Sequence, residues 1–325
     1  MVKNFWETLP KPIFVLAPLA NVTDTAFRRL IAKYSKPAGP AVFYTEFVSA
    51  DGLMRAPEEG RVKLLRDLEF TKEESPIVAQ FFTSDPMAME AAAKLAVELG
   101  FDGVDINMGC PDKAIEKQKA GAAMIKDPAR AAEVIAAAKQ GAGGLPVSVK
   151  TRLGYNKDTL DEWLPALLRA EPAAVVLHAR TRKEMSKVPA RWERVKRGVE
   201  TRNELGSKTL ILGNGDAVDL ADARARVTAS GADGAMLGRA IFGRPWLFDE
   251  SKSPELRERL QIAIEHTKLF EELLGDLKSF AIMKKHFKAY VEGFPGAKEL
   301  RMELMETNSA AEVEEIITRF LAELV

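Results

Sequence analysis

The sequence predicts a (β/α)8 TIM barrel followed by a small all-helical C-terminal domain. Three observations lead there. Short β-rich runs alternate with helical stretches, eight such runs fall between Ile13 and Leu237, and no β-rich run follows from about Ser251 onward. Alternation of this kind marks strands joined by crossover helices, and hence a parallel sheet. Eight repeats match a closed barrel better than an open doubly wound sheet. The division falls at residues 1–250 for the barrel and 251–325 for the helical domain.

Taken in order, the first strand is expected at Ile13 to Ala17, with a helix from Asp24 to Tyr34 behind it. The second strand is Ala41 to Thr45. The third, Ile77 to Phe81, leads to a helix from Met87 to Leu99 that opens on Asp85-Pro86, an acidic cap followed by a proline suited to the first turn. The fourth, Gly103 to Asn107, leads to a helix from Pro128 to Lys139 behind a second such signal, Asp127-Pro128. Then come Val147 to Lys150 with helix Leu160 to Ala170, Ala174 to His178 with helix Arg191 to Glu204, Leu210 to Leu212 with helix Leu220 to Ser230, and Gly234 to Leu237. Val175, Val176 and Ile211 sit in continuous apolar runs, as strands covered on both faces require. The tail reads as amphipathic helices over Glu255 to Leu274, Lys278 to Glu292, Ala297 to Glu306 and Ala310 to Leu324, with a break at Gly293-Phe294-Pro295-Gly296. Lys278, Lys284, Lys285, Lys288, Lys298 and Arg301 make it locally basic. Such a cluster is either a solvated helix face or a surface that meets phosphates.

Composition narrows the class. Of 325 residues, 46% are hydrophobic and 29% charged, which suits a soluble globular protein. No apolar run approaches the ~20 residues that span a bilayer. The N-terminus lacks the apolar segment and small-residue cleavage site of a secretory signal. With a single cysteine, this points to a reducing cytoplasm. One cysteine excludes an internal disulfide, and three histidines make a zinc site unexpected, so no metal is assigned. Lys plus Arg equals Asp plus Glu, 47 against 47, so the whole-chain charge neither favours nor excludes a polyanionic partner.

The chemistry is expected at the C-terminal ends of the strands, where barrels of this kind build their sites. The most informative stretch is Asp105-Ile106-Asn107-Met108-Gly109-Cys110-Pro111, an apolar strand running into a tight turn that carries the only thiol. Cys110 is either a small buried hydrophobe or a reactive group at a loop tip. Other ends carry Pro18-Leu19, Gln80, Lys150 and Arg152, His178 and Arg180, Asn214-Gly215-Asp216, and Gly238-Arg239. Lys150 and Arg152 share a strand face, as do His178 and Arg180. The glycine turns after strands seven and eight lie where barrels commonly hold a phosphate, and Arg239 adds a charged fork. A phosphate anchor, a cation near the axis and the amide of Gln80 suit flavin mononucleotide (FMN), whose reduced ring carries negative charge at the N1/O2 edge.

These residues resemble the tRNA-dihydrouridine synthases, flavoenzymes that reduce a uridine in tRNA. The matching elements are Ala17-Pro18-Leu19-Ala20-Asn21-Val22-Thr23-Asp24, Gln80, Asn107-Met108-Gly109-Cys110-Pro111, Lys119-Ala120-Gly121-Ala122, Val149-Lys150-Thr151-Arg152, His178-Ala179-Arg180-Thr181-Arg182, Asn214-Gly215-Asp216 and Gly238-Arg239. The tail is similar to the family's recognition domain through Lys284-Lys285-His286 and Gly293-Phe294-Pro295-Gly296. The resemblance implies that NADPH (or NADH) reduces FMN, that hydride reaches uracil C6, and that Cys110 protonates C5 as general acid. An ordinary thiol pKa of about 8.5 keeps that proton in place at neutral pH. It implies further that Asn107 and Lys119 meet the substrate, with Arg152 and Arg180 at its entrance. Pro18, Leu19, Gln80, Lys150 and His178 would line the flavin, and Asn214, Gly215, Asp216, Gly238 and Arg239 would hold its phosphate. Lys284, Lys285 and Lys288 would meet tRNA backbone. The chain departs from the pattern at Lys183 to Ala190 and has Leu19 where methionine is frequent. Two rival readings are an FMN barrel dehydrogenase acting on a free pyrimidine, like dihydroorotate dehydrogenase, and a non-catalytic RNA-binding protein. Which uridine is modified is not readable, nor are oligomeric state and protein partners of the tail.

Overall fold

The computed structural model describes residues 4–323. Eight parallel strands form one sheet: β1 (Ile13–Leu16), β2 (Phe43–Ser49), β3 (Ile77–Phe82), β4 (Gly103–Met108), β5 (Val147–Arg152), β6 (Ala174–His178), β7 (Leu210–Asn214) and β8 (Gly234–Leu237). The sheet runs β1-β8-β7-β6-β5-β4-β3-β2. Its ends meet through one bridge, Val15 to Val42, where Leu16 N donates to Val42 O at 3.1 Å and Ala41 N to Phe14 O at 2.8 Å. This is the expected TIM barrel.

Helices α1 (Thr25–Ser35), α2 (Ala50–Arg55), α3 (Glu58–Arg66), α4 (Pro86–Glu98), α5 (Lys113–Lys117), α6 (Pro128–Gly141), α7 (Leu160–Arg169), α8 (Trp192–Glu204) and α9 (Leu220–Ser230) lie among the strands. Acidic caps start several: Asp24 accepts from Phe27 N, Asp85 from Met87 N, Asp127 from Arg130 N and Asp219 from Asp222 N. The tail contains α10 (Leu256–Leu274), α11 (Lys284–Tyr290), α12 (Ala297–Leu304) and α13 (Ala310–Glu323). The helix expected over Lys278 to Glu292 is shorter: a 3-10 turn over Phe280–Met283 precedes α11. Leu324, placed in the last helix by sequence, lies outside the described residues.

Period-two alternation sorts the strands into an outer and an inner face. Leu16, Val175, Leu177, Ile211 and Ala235 join the large core between sheet and helices. Val15, Tyr44, Val78, Val176, Leu212 and Met236 pack with Trp6 in a separate inner core. Two residues further along, the inner face turns polar: Val78 gives way to Gln80, Val176 to His178, Leu212 to Asn214. The barrel therefore has a dry floor and a polar mouth.

Candidate active site

The mouth is organised around a chain of buried polar groups on β3, β4 and β5. The strand register sets Gln80 beside Asp105 and Asn107 beside Lys150. Ser148 Oγ donates to Asp105 Oδ1 at 2.6 Å, and Gln80 Nε2 donates to Asp105 Oδ2 at 2.6 Å. Asn107 Nδ2 donates to Gln80 Oε1 at 3.0 Å. Asn107 Oδ1 then accepts from Gly109 N at 3.1 Å and Cys110 N at 2.9 Å. Burial pushes the Asp105 carboxyl up to about 6, against the pull of Ser148, Gln80 and Lys150. Sequence reasoning named Gln80, Asn107 and Cys110 but passed over Asp105 and Ser148. The available signal was a charged residue at an inward position within the apolar run Val104-Asp105-Ile106.

The thiol sits half-buried at the end of that chain. Burial pushes it up, the backbone N–H of Asp112 and the charges of Lys150 and Arg152 pull it down, and the net shift is upward. Cys110 therefore holds its proton at neutral pH, with two cations near enough to steady the thiolate once the proton leaves. The loop closes over Gly121, whose φ of +60° brings its α-carbon against the thiol turn: a Cβ there would stand 2.8 Å from Cys110 O and from Ile115 Cγ2. Lys119, also at positive φ, is exposed on this loop.

Four basic side chains were expected on β5 and β6, and the structure separates them. Lys150 is half-buried; burial and Arg152 push it down to about 8, leaving it largely cationic at pH 7. Arg152 is 8% exposed and donates from Nε to Gly109 O at 2.7 Å and from Nη1 to Met185 O at 3.1 Å and Thr181 O at 3.2 Å. It ties the thiol loop to the loop after β6. Burial, then Arg152, Lys150, Arg180 and Arg239, drive His178 well below its ordinary value, so its ring is neutral. Arg180 Nη1 can only donate, and it meets His178 Nε2 at 3.2 Å; the ring proton is therefore on Nδ1. Arg180 is buried and paired with Asp216.

On the opposite side, Asn214 Nδ2 donates to Met236 O at 2.8 Å, joining β7 to β8. Gly215 lies at φ +126°, where a Cβ would stand 2.8 Å from Ala190 Cβ and 3.3 Å from His178 Cδ2. At Gly238 a Cβ would sit in ordinary van der Waals contact with Ala17 Cβ at 3.6 Å and Leu19 Cδ2 at 3.7 Å. Asp216 was grouped with the phosphate-holding residues. Burial alone would raise it, but Arg180, Ala190 N and Arg239 hold it below the usual carboxylate range. It orients the guanidinium of Arg239, 2.8 Å away, which is largely exposed. Pro18 is buried and Leu19 half-buried at the rim.

The tail lysines divide as well. Lys278 is consumed by ion pairs with Glu46 at 2.7 Å and Asp67 at 2.8 Å. Lys285 reaches Asn21 O at 3.3 Å, while Lys284 and Lys288 join no ion pair among the described residues. His286, next to them in sequence, is fully buried against Phe27, Phe242 and His266.

A family profile for dihydrouridine synthase (Dus) matches residues 15–324. The chain belongs to the dihydrouridine synthase family. A probable tRNA-dihydrouridine synthase of Staphylococcus epidermidis is 40% identical over 327 residues, covering 100% of this chain and 98% of that protein. Probable tRNA-dihydrouridine synthase 2 of Bacillus subtilis is 40% identical over 323 residues, covering 98% and 97%. Among solved structures, morphinone reductase superposes with a TM-score of 0.51 at 14% identity, covering 73% of this chain and 84% of that one. Histamine dehydrogenase from Rhizobium sp. 4-9 gives 0.52 at 12%, covering 79% and 49%. At such identities the likeness is one of fold. Membership of the dihydrouridine synthase family bears out the expected oxidoreductase class and leaves the free-pyrimidine dehydrogenase and the non-catalytic protein without support.

Proposed function

We propose that this chain reduces specific uridines in tRNA to 5,6-dihydrouridine, with FMN as cofactor and NADPH or NADH as reductant, in the cytoplasm. The observation that carries the reading is the Cys110 thiol, kept protonated by burial and held by Asn107 at a mouth that also carries Lys150.

The residues present fit FMN. Gly238 carries no side chain at the β8 turn, Arg239 offers an exposed guanidinium there, and Asn214, Gly215 and Asp216 complete that side. Lys150 supplies a cation beside Asn107, Gln80 a buried amide, and neutral His178 a ring nitrogen. Pro18 and Leu19 form an apolar rim. When bound and reduced, FMN would supply the hydride that reaches C6 of the uracil. Cys110 Sγ gives its proton to C5, and the resulting thiolate is met by Lys150 and Arg152 before solvent reprotonates it. Asn107 and Lys119 contact the substrate. Arg152 and Arg180 shape the entrance through the loops they fasten.

The target base has to leave its contacts in the folded RNA to enter, the general solution for enzymes that act on a base. On this reading residues 1–250 form the catalytic unit and 251–325 the unit that meets tRNA, through Lys284, Lys285 and Lys288. The test is mass spectrometry of nucleosides after FMN-loaded protein and NADPH meet tRNA lacking dihydrouridine, with Cys110→Ala, free uridine and orotate run alongside. Product in tRNA that depends on Cys110 is expected. Turnover of a free pyrimidine with none in tRNA would overturn the proposal.

A further inference from the structure

We infer that Asp105 is a positioning residue: the fixed end of a one-way hydrogen-bond chain that orients the buried amide of Gln80 and the thiol-bearing turn of Cys110 together. The inference rests on the roles proposed above for Gln80 and Cys110.

The direction of the chain follows from what each end can do. The backbone N–H groups of Gly109 and Cys110 only donate, so Asn107 must turn its oxygen toward them. Its Nδ2 then faces Gln80, which must answer with Oε1. The Gln80 Nε2 is left pointing at β4, where Asp105 Oδ2 accepts it. Reversal of either amide would set donor against donor at one end or acceptor against acceptor at the other. Asp105 cannot itself turn away, because Ser148 Oγ holds its second oxygen and Asp105, Ser148 and Gln80 are all 0% exposed. Tyr44, also fully buried, closes the far side with its hydroxyl 3.5 Å from Ser148 Oγ. Chains of this kind strengthen each member and lose orientation when one end is cut.

This assigns a task to a carboxylate that touches neither Cys110 nor the mouth surface. It also couples two places: the buried amide of Gln80 and the loop that carries the thiol share one orientation. Asp105 sets that orientation as an acceptor, a property an asparagine can reproduce with its own oxygen while offering Ser148 a donor.

Cys110 is the only thiol in the chain, so its alkylation rate reads the turn directly, without flavin or RNA. Asp105→Ala is expected to speed alkylation by about fivefold, the equilibrium worth of one lost hydrogen bond. Asp105→Asn is expected to stay within about twofold of the natural chain on the same argument. In an Asn107→Ala background, Asp105→Ala is expected to add nothing, because the chain is already cut; a general loosening of the core would add in both backgrounds. Should Asp105→Ala not fold, Gln80→Leu cuts the same chain one link later and carries the same expectation. Equal acceleration with and without Asn107, or none in a folded variant, would overturn the inference. A natural chain that alkylates as expected but makes no dihydrouridine would instead sink the proposed reaction.

Discussion

Two sets of buried polar side chains in this molecule are treated in opposite ways. At the barrel mouth, Asp105, Gln80, Asn107 and Ser148 are each partnered: donors run from the Cys110 turn through Asn107 and Gln80 to Asp105, which also accepts from the β5 hydroxyl. At the seam between barrel and tail, His266 and His286 are equally buried, yet three of their four ring nitrogens have no partner among the described residues. Only His266 Nδ1 is met, by Tyr290 OH at 3.3 Å. The rings there serve as aromatic packing: Phe27 stacks on His266 at 4.6 Å and 12°. Partnered groups fix an orientation that chemistry can use. Unpartnered neutral rings fill space and leave the seam exposed to protonation.

The largest effect expected is at the mouth. Cys110→Ala should lower dihydrouridine formation by about 10²- to 10⁴-fold, the usual contribution of a general acid, with bound flavin unchanged. A nucleoside assay beside a flavin absorbance spectrum checks both halves. Loss of flavin along with product would erase the contrast, since the thiol would then be packing as the histidines are.

At the seam the probe is pH. Burial drives His286 down to about 3 and His266 well below its ordinary value, so the folded chain keeps both rings neutral while the unfolded chain protonates them near 6.5. The folded state then binds fewer protons, and each histidine subtracts about 1.4 kcal/mol of stability per pH unit below about 6.5. Asp105 and Asp24, raised by burial to about 6 and about 7, work in the opposite direction over the same range. The clean reading is therefore a difference. His286→Phe should gain on the natural chain by about 1.4 kcal/mol per pH unit on acidification from 6.5 toward 5, read by denaturant unfolding. A constant difference would mean that the ring is protonated in place.

Gly121→Ala sharpens the mouth side. Its Cβ would press on Cys110 O and Ile115 from a backbone at φ +60°, a strain of about 1–3 kcal/mol that moves the thiol turn without touching its chemistry. Activity is expected to fall while FMN binding stays. The smallest effect belongs to Lys284, Lys285 and Lys288. Replacing all three by alanine should flatten the dependence of log Kd for tRNA on log salt by about 0.7–0.9 per lost phosphate contact. An unchanged slope would return these lysines to a solvated helix face.

The barrel was legible because its strands are apolar runs cut by Gly, Pro and cap residues; β6 and β8 match their expected limits. β2 was misjudged by two to four residues because Glu46 interrupts its apolar pattern, and the partner that makes its burial tolerable, Lys278, is 232 positions away. Helix α3 was missed because none of its nine residues is buried, so no apolar stripe marks it. At the site, residues with special types announced themselves: the one cysteine, the glycine turns, the strand-end cations. Asp105 and Ser148 did not, since their meaning lies in a register between strands. Lys284-Lys285-His286 was read as one motif of the recognition domain, and packing splits it: the lysines reach solvent and the histidine is core.

The single bridge that joins β1 to the approach of β2 has a consequence for the tail. Every other neighbouring pair in the sheet shares a ladder of three or more residue pairs, so this joint is the stave most easily sprung. The tail lies across it like a clasp: Lys278 grips Glu46 on β2, Lys285 reaches Asn21 just past β1, Glu265 meets Lys33 and Tyr34 of α1, and His266 and His286 seat on Phe27. A chain cut after residue 250 would thus lose the fastening of its barrel along with the proposed contact to RNA, and only single side-chain replacements can tell the two losses apart.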